Sequence, residues 1–433
     1  MRTIDLRGRA LSPTELLSAV PRASDARAAA LDTARELVAA VRRDGEDALR
    51  DQAARFDRVE GHALRVPQEH IDDALSGLDS DVRAALDEAI ARVRAGSAAQ
   101  VPDPRDTEIA PGAHVRQRWQ PVARAGVYVP GGKAVYPSSV IMNVVPAQVA
   151  GVRSIALASP PQCDAAGRVH PTILAVAGLL GVDEVYAIGG AGAIGALAYG
   201  VESLGLAPVD VVTGPGNNFV ASAKRVVAGD VGTDAEAGAT EILIAADETA
   251  DAVLVAADLV SQAEHDEQAA AVLVTTSEDL ASAVESALSE IAATTRHAER
   301  VAAALAGPQS AIVLVDDAAG MESFSNTYGP EHLELHVADA RAAADRYTNA
   351  GAIFVGPATP VSLGDYMAGS NHVLPTGGQS RYASGLGAYT FLRPQQVIEY
   401  DAAALEAVAD RIVTLAEAEA LPAHGDAVRA RER

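Results

Sequence analysis

The side chains of this chain that could do chemistry fall into a few short clusters, and the first is Ser-Gln-Ala-Glu-His-Asp at residues 261–266. Gln262 and His265 are three residues apart, so on a helix their side chains lie on one face. Zinc accepts an imidazole nitrogen and, less often, an amide oxygen, and it needs about four ligands in all. The hexapeptide therefore either supplies half of a metal site or is a polar helix end with ordinary solvated charges.

Two later clusters could supply further groups. Glu331 and His332 stand in Tyr-Gly-Pro-Glu-His-Leu-Glu-Leu, on a predicted loop at the edge of a strand. A carboxylate beside an imidazole can move protons near neutral pH, although a Glu-His pair is common by chance. Asp365 and His372 lie in a predicted glycine-bounded loop, whose composition is typical of functional or disordered loops. With the C-terminal segment included, the candidates are Gln262, His265, Glu331, His332, Asp365, His372, Glu419 and His424.

Three glycine-rich turns follow predicted strands, at residues 130–133, 189–192 and 214–218. Glycine frees backbone amides at the start of a helix, where they and the helix dipole can bind phosphate. None of the turns has the spacing of a dinucleotide fingerprint or a Walker loop, so each is either a phosphate contact or a tight turn. A nucleophilic triad has less support, because the sequence has no Gly-x-Ser-x-Gly elbow and Cys163 lies in an ordinary turn.

The elements that must position these clusters alternate between strands and helices. An N-terminal arm at 1–27 and a helical block from about 28 to 95 come first, and residues 101–112, rich in proline and charge, predict a connecting loop. From residue 122 onward, short β-branched runs alternate with Ala-rich amphipathic segments, which indicates βαβ units and parallel sheets. The predicted fold class is therefore α/β, with two doubly wound Rossmann-like lobes, a helical N-terminal region and a C-terminal tail.

Composition limits the function. The formal charge of -24 argues against a nucleic-acid surface, which requires a basic stripe. The single cysteine favours a reduced, cytoplasmic setting. No apolar run reaches the roughly 18 to 20 residues that span a bilayer, and the first residues have no signal-peptide core, so we expect a soluble protein that is not exported.

These motifs, in order and over nearly the whole chain, resemble those of the L-histidinol dehydrogenase family. The matching pieces are Val-Tyr128-Val-Pro-Gly-Gly, Gly214-Pro-Gly-Asn217, Ala-Gly238-Ala-Thr-Glu241, Ser-Gln262-Ala-Glu-His265, Pro-Glu331-His332-Leu-Glu, Gly-Asp365-Tyr-Met-Ala-Gly-Ser-Asn-His372, and the tail with Glu419 and His424.

The resemblance implies a zinc-containing homodimer with one zinc per subunit. Such an enzyme oxidises L-histidinol through L-histidinal to L-histidine, the last step of histidine biosynthesis, and reduces two NAD. It also implies a metal and substrate lobe at 28–121 plus 240–379, an NAD-binding lobe at 122–239, and a dimerisation tail at 380–433 that reaches the partner subunit.

Site residues follow from the resemblance, position by position. The implied zinc ligands are Gln262, His265, Asp365 and His424, the last from the neighbouring subunit. Glu331 and His332 are the implied acid and base pair, and Tyr128 and Asn217 match positions that contact NAD. The implied substrate-binding residues are Thr240, Gln262, His265, His332, Asp365, His372, Glu419 and His424.

Two positions depart from the family pattern. Gly192 stands where many members have a glutamine whose amide helps to bind NAD. Thr240 stands where serine is common, after Ala239 in place of proline, and it keeps the hydroxyl.

Two other functions fit part of the sequence. In a zinc hydrolase, Glu331 would be the base for metal-bound water, and activity would need no NAD. In a metal-stabilised scaffold, metal would raise thermal stability while no nicotinamide is reduced. Neither alternative requires all of the loop motifs together.

Overall fold

The structure, a computed structural model, describes residues 1–22, 25–131 and 135–431, with the backbone alone at residues 25–29. Its strands are β1 Arg2–Asp5, β2 Arg105–Ala110, β3 Ala113–Pro121, β4 Arg124–Tyr128, β5 Ser154–Ser159, β6 Val185–Ala187, β7 Val211–Thr213, β8 Gly232–Thr233, β9 Glu241–Ala246, β10 Ala270–Thr275, β11 Ala311–Leu314, β12 His332–His336, β13 Ala352–Val355 and β14 Leu392–Tyr400.

The helices are α1 Pro13–Ala19, α2 Asp25–Asp44, α3 Glu46–Gln52, α4 Gln68–Ser76, α5 Ser80–Ala98, α6 Pro137–Ala150, α7 Pro171–Leu179, α8 Gly190–Tyr199, α9 Asn218–Val227, α10 Ala252–Ala263, α11 Glu278–Thr294, α12 Ala298–Ala306, α13 Ala318–Tyr328, α14 Ala340–Ala344, α15 Val361–Tyr366, α16 Ala402–Ala418 and α17 Pro422–Arg429. A π-helical turn, Ala53–Asp57, extends α3. Among the described residues, every helix is too short or too polar to cross a lipid bilayer.

The chain divides into two compact units, of which the first comprises Met1–Gln100 and Ala123–Phe391. This unit contains a five-stranded parallel sheet in the order β6-β5-β4-β7-β8. The order reverses direction between β4 and β7, as in a dinucleotide-binding half of a Rossmann fold. The carboxyl ends of β4 and β7 therefore flank a topological switch point, where open α/β sheets bind ligands.

The second sheet of this unit repeats the pattern. It has six parallel strands in the order β1-β11-β10-β9-β12-β13, with its own switch point between β9 and β12. Two parallel sheets with helices between their strands confirm the predicted α/β class. The predicted N-terminal arm contributes more than a polar segment, because its residues 2–5 form β1 and pair with β11 at the sheet edge.

Helices cover both faces of the six-stranded sheet and bury its strands. One core cluster joins β9, β10 and β11 to α10, α11 and α12, and another joins the opposite face to α13 and the N-terminal segment. All six residues of β9 and all six of β10 are buried, which explains their near-continuous apolar composition.

The second unit comprises Val101–Val122 and Leu392–Arg433. It contains a three-stranded antiparallel sheet in the order β14-β3-β2, together with α16 and α17. The prediction of a loop at 101–112 was wrong, because residues 105–110 form β2. Every residue of this edge strand is exposed, so it lacks the hydrophobic alternation that identifies a strand in a sequence. β14, the strand at the other edge, is also mostly exposed and carries Pro394.

Candidate active site

One cavity of about 620 Å³ in the first unit gathers most of the predicted site residues. It is lined by Tyr128, Asn217, Thr240, Gln262, His265, Glu331, His332, Asp365 and His372, among others. These residues are spread over 245 positions of sequence, and the two sheets bring them together. The five-stranded sheet contributes carboxyl ends, where Tyr128 ends β4, whereas the six-stranded sheet contributes amino ends, where His332 begins β12.

Gln262 and His265 take their positions from the end of α10. Gln262 lies in the last turn of the helix and is 1% exposed, and His265 follows directly after the C-cap residue Glu264. His265 Nδ1 lies 3.2 Å from the carbonyl oxygen of Ser261 and 3.3 Å from that of Gln262. Because a carbonyl oxygen only accepts, Nδ1 carries the proton and Nε2 keeps the lone pair of a metal ligand.

The Gln262 amide tests whether these residues fit a metal. Its Nε2 donates to Thr240 Oγ1 at 2.5 Å, which turns Oε1 away from that contact. Among the residues that the structure describes, Gln262 Oε1 is buried without a hydrogen-bond partner. A buried amide oxygen without a donor is costly unless a cation satisfies it. With the imidazole of His265 and the carboxylate of Asp365 on the same cavity, this donor set fits zinc.

Thr240 connects Gln262 to Glu331 through hydrogen bonds. Its hydroxyl accepts from Gln262 Nε2 and donates to Glu331 Oε2 at 2.6 Å. The Glu241 amide also donates to Glu331 Oε2, at 2.8 Å. The Thr240 hydroxyl therefore bridges Gln262 and Glu331 as a serine hydroxyl could. The methyl group that threonine has in addition to serine does not prevent these hydrogen bonds.

The His332 ring is oriented as a base. Its Nδ1 donates to the Glu241 carbonyl oxygen at 3.1 Å, so Nε2 is the nitrogen that can accept a proton. The side chain is buried, and burial lowers the pKa of His332 below its ordinary value despite the opposing charge of Asp365. The imidazole is therefore neutral at neutral pH, which a general base requires.

Glu331 is shifted in the opposite sense. Burial raises the pKa of its carboxyl group to about 8, against the opposing hydrogen bonds from Thr240 and the Glu241 amide. Glu331 Oε2 lies 3.5 Å from His332 Nδ1. An acid and a base whose pKa values move in opposite directions in one cavity are typical of catalytic sites.

Asp365 and His372 differ from their predicted setting. Asp365 lies on the short helix α15 rather than in a loop, whereas His372 is in the irregular segment after it. His372 Nδ1 donates to the Asp365 carbonyl oxygen at 3.2 Å, and its Nε2 accepts from Ser139 Oγ at 3.0 Å. Ser139, a buried residue in the first turn of α6, was not among the predicted site residues, because no motif marks a serine inside an apolar helix.

Tyr128 and Asn217 flank the switch point of the five-stranded sheet. The Tyr128 hydroxyl accepts from the Gly190 amide at 3.2 Å, and burial raises its pKa to about 12. Asn217 caps α9, where its Oδ1 accepts from the amides of Phe219 and Val220. Both residues line the cavity, which places them where a dinucleotide is expected in this topology.

The glycine-rich turns have different structural reasons. Gly214 has φ +122°, and a Cβ there would lie 1.9 Å from the Tyr128 carbonyl oxygen, so only glycine fits. A Cβ at Gly192 would lie 2.4 Å from Gln52 Oε1, so a larger residue at this position would require the Gln52 side chain to move. In the turn at 130–133, Gly132 and Lys133 lie outside the described residues.

A buried ion pair holds the turn at Gly214. Lys224 is 1% exposed, and its Nζ donates to the Gly214 carbonyl oxygen at 2.9 Å, to the Ala235 carbonyl oxygen and to Asp234. Asp234 in turn accepts from the Gly214 amide at 2.8 Å. The pair therefore fixes both polar groups of the Gly214 backbone.

Replacing Lys224 with methionine is expected to destabilise the protein by about 3–5 kcal/mol, because Asp234 would remain buried without its cation. Denaturant unfolding measures this change. Arg225→Met is the matched control, since its pair with Glu236 is on the surface and contributes at most about 1 kcal/mol. Equal stability of the two variants would contradict a structural role for the buried pair.

Glu419 and His424 belong to the second unit. Glu419 is the C-cap of α16, and His424 lies on α17, the last helix of the chain. Both side chains are exposed within this single chain. Their predicted contributions to a site on a neighbouring subunit stay predictions.

The Rossmann-type strand orders, and a cavity that gathers carboxyl, imidazole and amide side chains, fit an α/β oxidoreductase. The sequence profile described as histidinol dehydrogenase matches residues 20–432. The chain is 64% identical over 431 residues to a histidinol dehydrogenase of Leifsonia xyli subsp. xyli, which covers 100% of this chain and 99% of the relative. It is 57% identical to the histidinol dehydrogenase of Mycobacterium tuberculosis (strain ATCC 25618 / H37Rv), and this match covers 99% of this chain and 97% of the relative.

A solved structure agrees with these sequence matches. The crystal structure of histidinol dehydrogenase from Elizabethkingia anophelis superimposes with a TM-score of 0.91 at 31% identity, covering 100% of this chain and 98% of that one. The chain belongs to the histidinol dehydrogenase family, whose members are NAD-dependent oxidoreductases. The predicted resemblance is confirmed.

Proposed function

We propose that this protein oxidises L-histidinol through L-histidinal to L-histidine, with reduction of two NAD, as the last step of histidine biosynthesis. The observation that carries the proposal is the meeting of Gln262, His265, Glu331, His332 and Asp365 in one cavity. Family membership supports the substrate, since the relatives that match over the whole chain are histidinol dehydrogenases.

The metal ligands proposed here are Gln262 Oε1, His265 Nε2, the Asp365 carboxylate and His424 of the partner subunit. Bound zinc would supply a Lewis acid that anchors the imidazole and amino groups of the substrate. Thr240 and His372, with Glu419 of the partner subunit, would hold the rest of the substrate. This positioning would direct the carbinol carbon toward the nicotinamide, which reduces the entropic cost of reaction.

His332 would carry the first proton transfer. Its unprotonated Nε2 would take the hydroxyl proton of L-histidinol as hydride leaves the carbinol carbon for NAD. The product of this step is the aldehyde, NADH and protonated His332. The neutral state of the buried ring and its fixed Nδ1 donor bond to Glu241 support this role.

Glu331 would act in the second half of the reaction. As a carboxylate it would take a proton from water while the water oxygen bonds to the aldehyde carbon, which gives the anion of the hydrate. The anion would then lose hydride to a second NAD, which gives the carboxylic acid, and loss of the acid proton leaves the carboxylate of L-histidine. Because the pKa of Glu331 is raised to about 8, this group can hold the proton from water near neutral pH and then release it to solvent.

The dinucleotide is proposed to bind at the switch point of the five-stranded sheet, with contacts to Tyr128 and Asn217. This assigns residues 122–239 to an NAD-binding lobe and residues 28–121 with 240–379 to a metal and substrate lobe. We further propose that segment 380–433 forms a homodimer with shared sites. The single cysteine, Cys163, supports a cytoplasmic location.

An assay of NADH absorbance with purified protein, L-histidinol and NAD tests the function. The expected result is about two NADH per histidinol, with activity lost on chelation and restored by zinc. If zinc-loaded protein formed no NADH, the oxidoreductase assignment would fail, and hydrolysis of a histidinol ester would be the next reaction to measure.

The second half of the reaction is expected to depend on pH. Because the pKa of Glu331 is raised to about 8, its ionised fraction falls about tenfold for each pH unit below that value. With L-histidinal as the substrate, kcat should rise with pH and level off above about 8. Glu331→Gln should be slow and lack this rise. A wild-type rate that is constant between about pH 6 and about pH 8 would exclude Glu331 as the base.

A further inference from the structure

A second cluster of ligand-type side chains lies in the six-stranded sheet, outside the cavity. Asp258, Glu334 and His336 each offer one ligand atom, and these atoms all lie within 4.8 Å of one another. Glu334 and His336 alternate along β12, so they share one face of the sheet. Asp258 reaches them from α10, one turn before Gln262.

Ionisable side chains such as those of this cluster are seldom fully buried. Glu334 is 0% exposed and His336 is 5% exposed, although the neighbouring strands present aliphatic side chains on the same face. Glu334 Oε1 accepts from the Val361 amide at 2.8 Å. Within the described part of the chain, Glu334 Oε2 is buried and has no hydrogen-bond partner. It lies 3.4 Å from His336 Nε2, a contact that is an ion pair only when the imidazole is protonated.

A protonated His336 would compensate only one of the two carboxylates. Two arrangements could compensate both. Asp258 and Glu334 could share a proton, and burial together with the Glu334 charge does raise the pKa of Asp258 to about 7. A shared proton, however, satisfies only the two carboxyl groups and leaves the imidazole nitrogen beside them. A divalent cation would satisfy all three ligand atoms at once, because metal ligands surround one ion at about 2 Å each.

The place in the fold also favours a ligand. His336 is the last residue of β12, and its carbonyl oxygen accepts from the Asp247 amide just after β9. The cluster therefore lies toward the carboxyl end of the β9 and β12 switch point, where open α/β sheets bind ligands. The candidate active site uses the opposite, amino ends of these two strands.

We propose that Asp258, Glu334 and His336 bind a second divalent cation of the zinc or manganese class. Two carboxylate oxygens and one imidazole nitrogen suit such borderline ions. The half-buried Asp258 provides the side from which the ion enters, and water would complete the coordination.

The bound ion would hold together the elements that carry the residues of the candidate active site. Asp258 lies on α10, which also carries Gln262, and Glu334 lies on β12, which also carries His332. Through the Val361 amide, Glu334 is joined to the first residue of α15, the helix of Asp365. One ion would thus link three elements that converge on the cavity from separate parts of the sequence.

Metal counting tests this proposal. Metal-free protein is loaded with zinc, desalted and analysed for zinc per chain. The wild type should retain about two ions, whereas Asp258→Asn and His336→Gln should each retain about one. His265→Ala should also retain about one, because it removes a ligand of the other site. Asp279→Asn, the same change at an exposed position on α11, should retain the wild-type number.

Thermal unfolding provides a second measurement. Zinc should raise the melting temperature of His265→Ala but not of the double variant His265→Ala with Asp258→Asn, since ligands stabilise only the fold that binds them. Equal zinc content in Asp258→Asn, His336→Gln and the wild type would overturn the proposal. So would a His265→Ala protein that retains no zinc. A His265→Ala protein with full zinc content would instead count against the zinc site of the proposed function.

Discussion

Replacing His265 with alanine should produce a folded protein that has lost about one zinc per chain and whose turnover is at least about a hundredfold lower. The imidazole is one of the few ligands the cavity offers, and its Nδ1 is already committed to backbone carbonyls. Without Nε2, Gln262 Oε1 and Asp365 would no longer hold a metal tightly. Metal analysis and NADH formation measure both effects.

Two controls accompany this variant. His297→Ala removes an exposed histidine at the start of α12 and should leave zinc content and turnover unchanged. If the protein forms the proposed homodimer with shared sites, mixing unfolded His265→Ala and His424→Ala chains and refolding them together should restore about a quarter of the wild-type activity, because half of the dimers would be hybrids with one intact site. If His265→Ala lost the zinc of the cavity and kept full activity, the proposed role of this zinc site in turnover would be wrong.

Changing His332 to asparagine should slow the first hydride transfer by about 10²- to 10⁴-fold while zinc content stays normal. The asparagine amide can still donate to the Glu241 carbonyl oxygen, so the local fold is kept. What it lacks is a nitrogen that accepts a proton. Rapid mixing with one equivalent of NAD isolates this step from the later aldehyde oxidation.

The comparison with Glu331→Gln separates the two proposed roles. His332→Asn should impair the alcohol step more than the aldehyde step, whereas Glu331→Gln should spare the alcohol step. A His332→Asn protein with an unchanged single-turnover rate would exclude His332 as the base. Equal impairment of both steps by both variants would indicate that the pair acts only through the shape of the cavity.

Secondary structure near the site was predictable where elements are buried on both faces. β9 and β10 are apolar runs apart from Glu241 and Thr275. The three-residue spacing of Gln262 and His265 predicted that both side chains lie on one face at a helix end. Exposed edge strands gave no such signal, so β2 and β14 were missed. β14 forms its backbone hydrogen bonds with β3, which lies far away in the sequence, and such long-range pairing leaves no local sequence pattern. β2 pairs with the other edge of β3.

Motifs indicated which residues matter, but not what each atom does. The protonated Nδ1 of His332, the unpartnered amide oxygen of Gln262 and the hydroxyl bridge of Thr240 all depend on neighbours from other elements. Asp258, Glu334 and His336 were overlooked because His-Leu-Glu-Leu-His alternates like a half-exposed strand. In the fold, all five of these residues are buried.

By itself, the sequence determined the α/β class, the family and the set of candidate ligands and bases. These follow from periodicity and from short motifs, which depend on residues close together in the chain. The tertiary structure alone brings the amino ends of strands in the six-stranded sheet and the carboxyl ends of strands in the five-stranded sheet to one cavity. This arrangement places Glu331 and Tyr128 together. Protonation states were decided there as well, because desolvation depends on what packs around a group rather than on its neighbours in sequence.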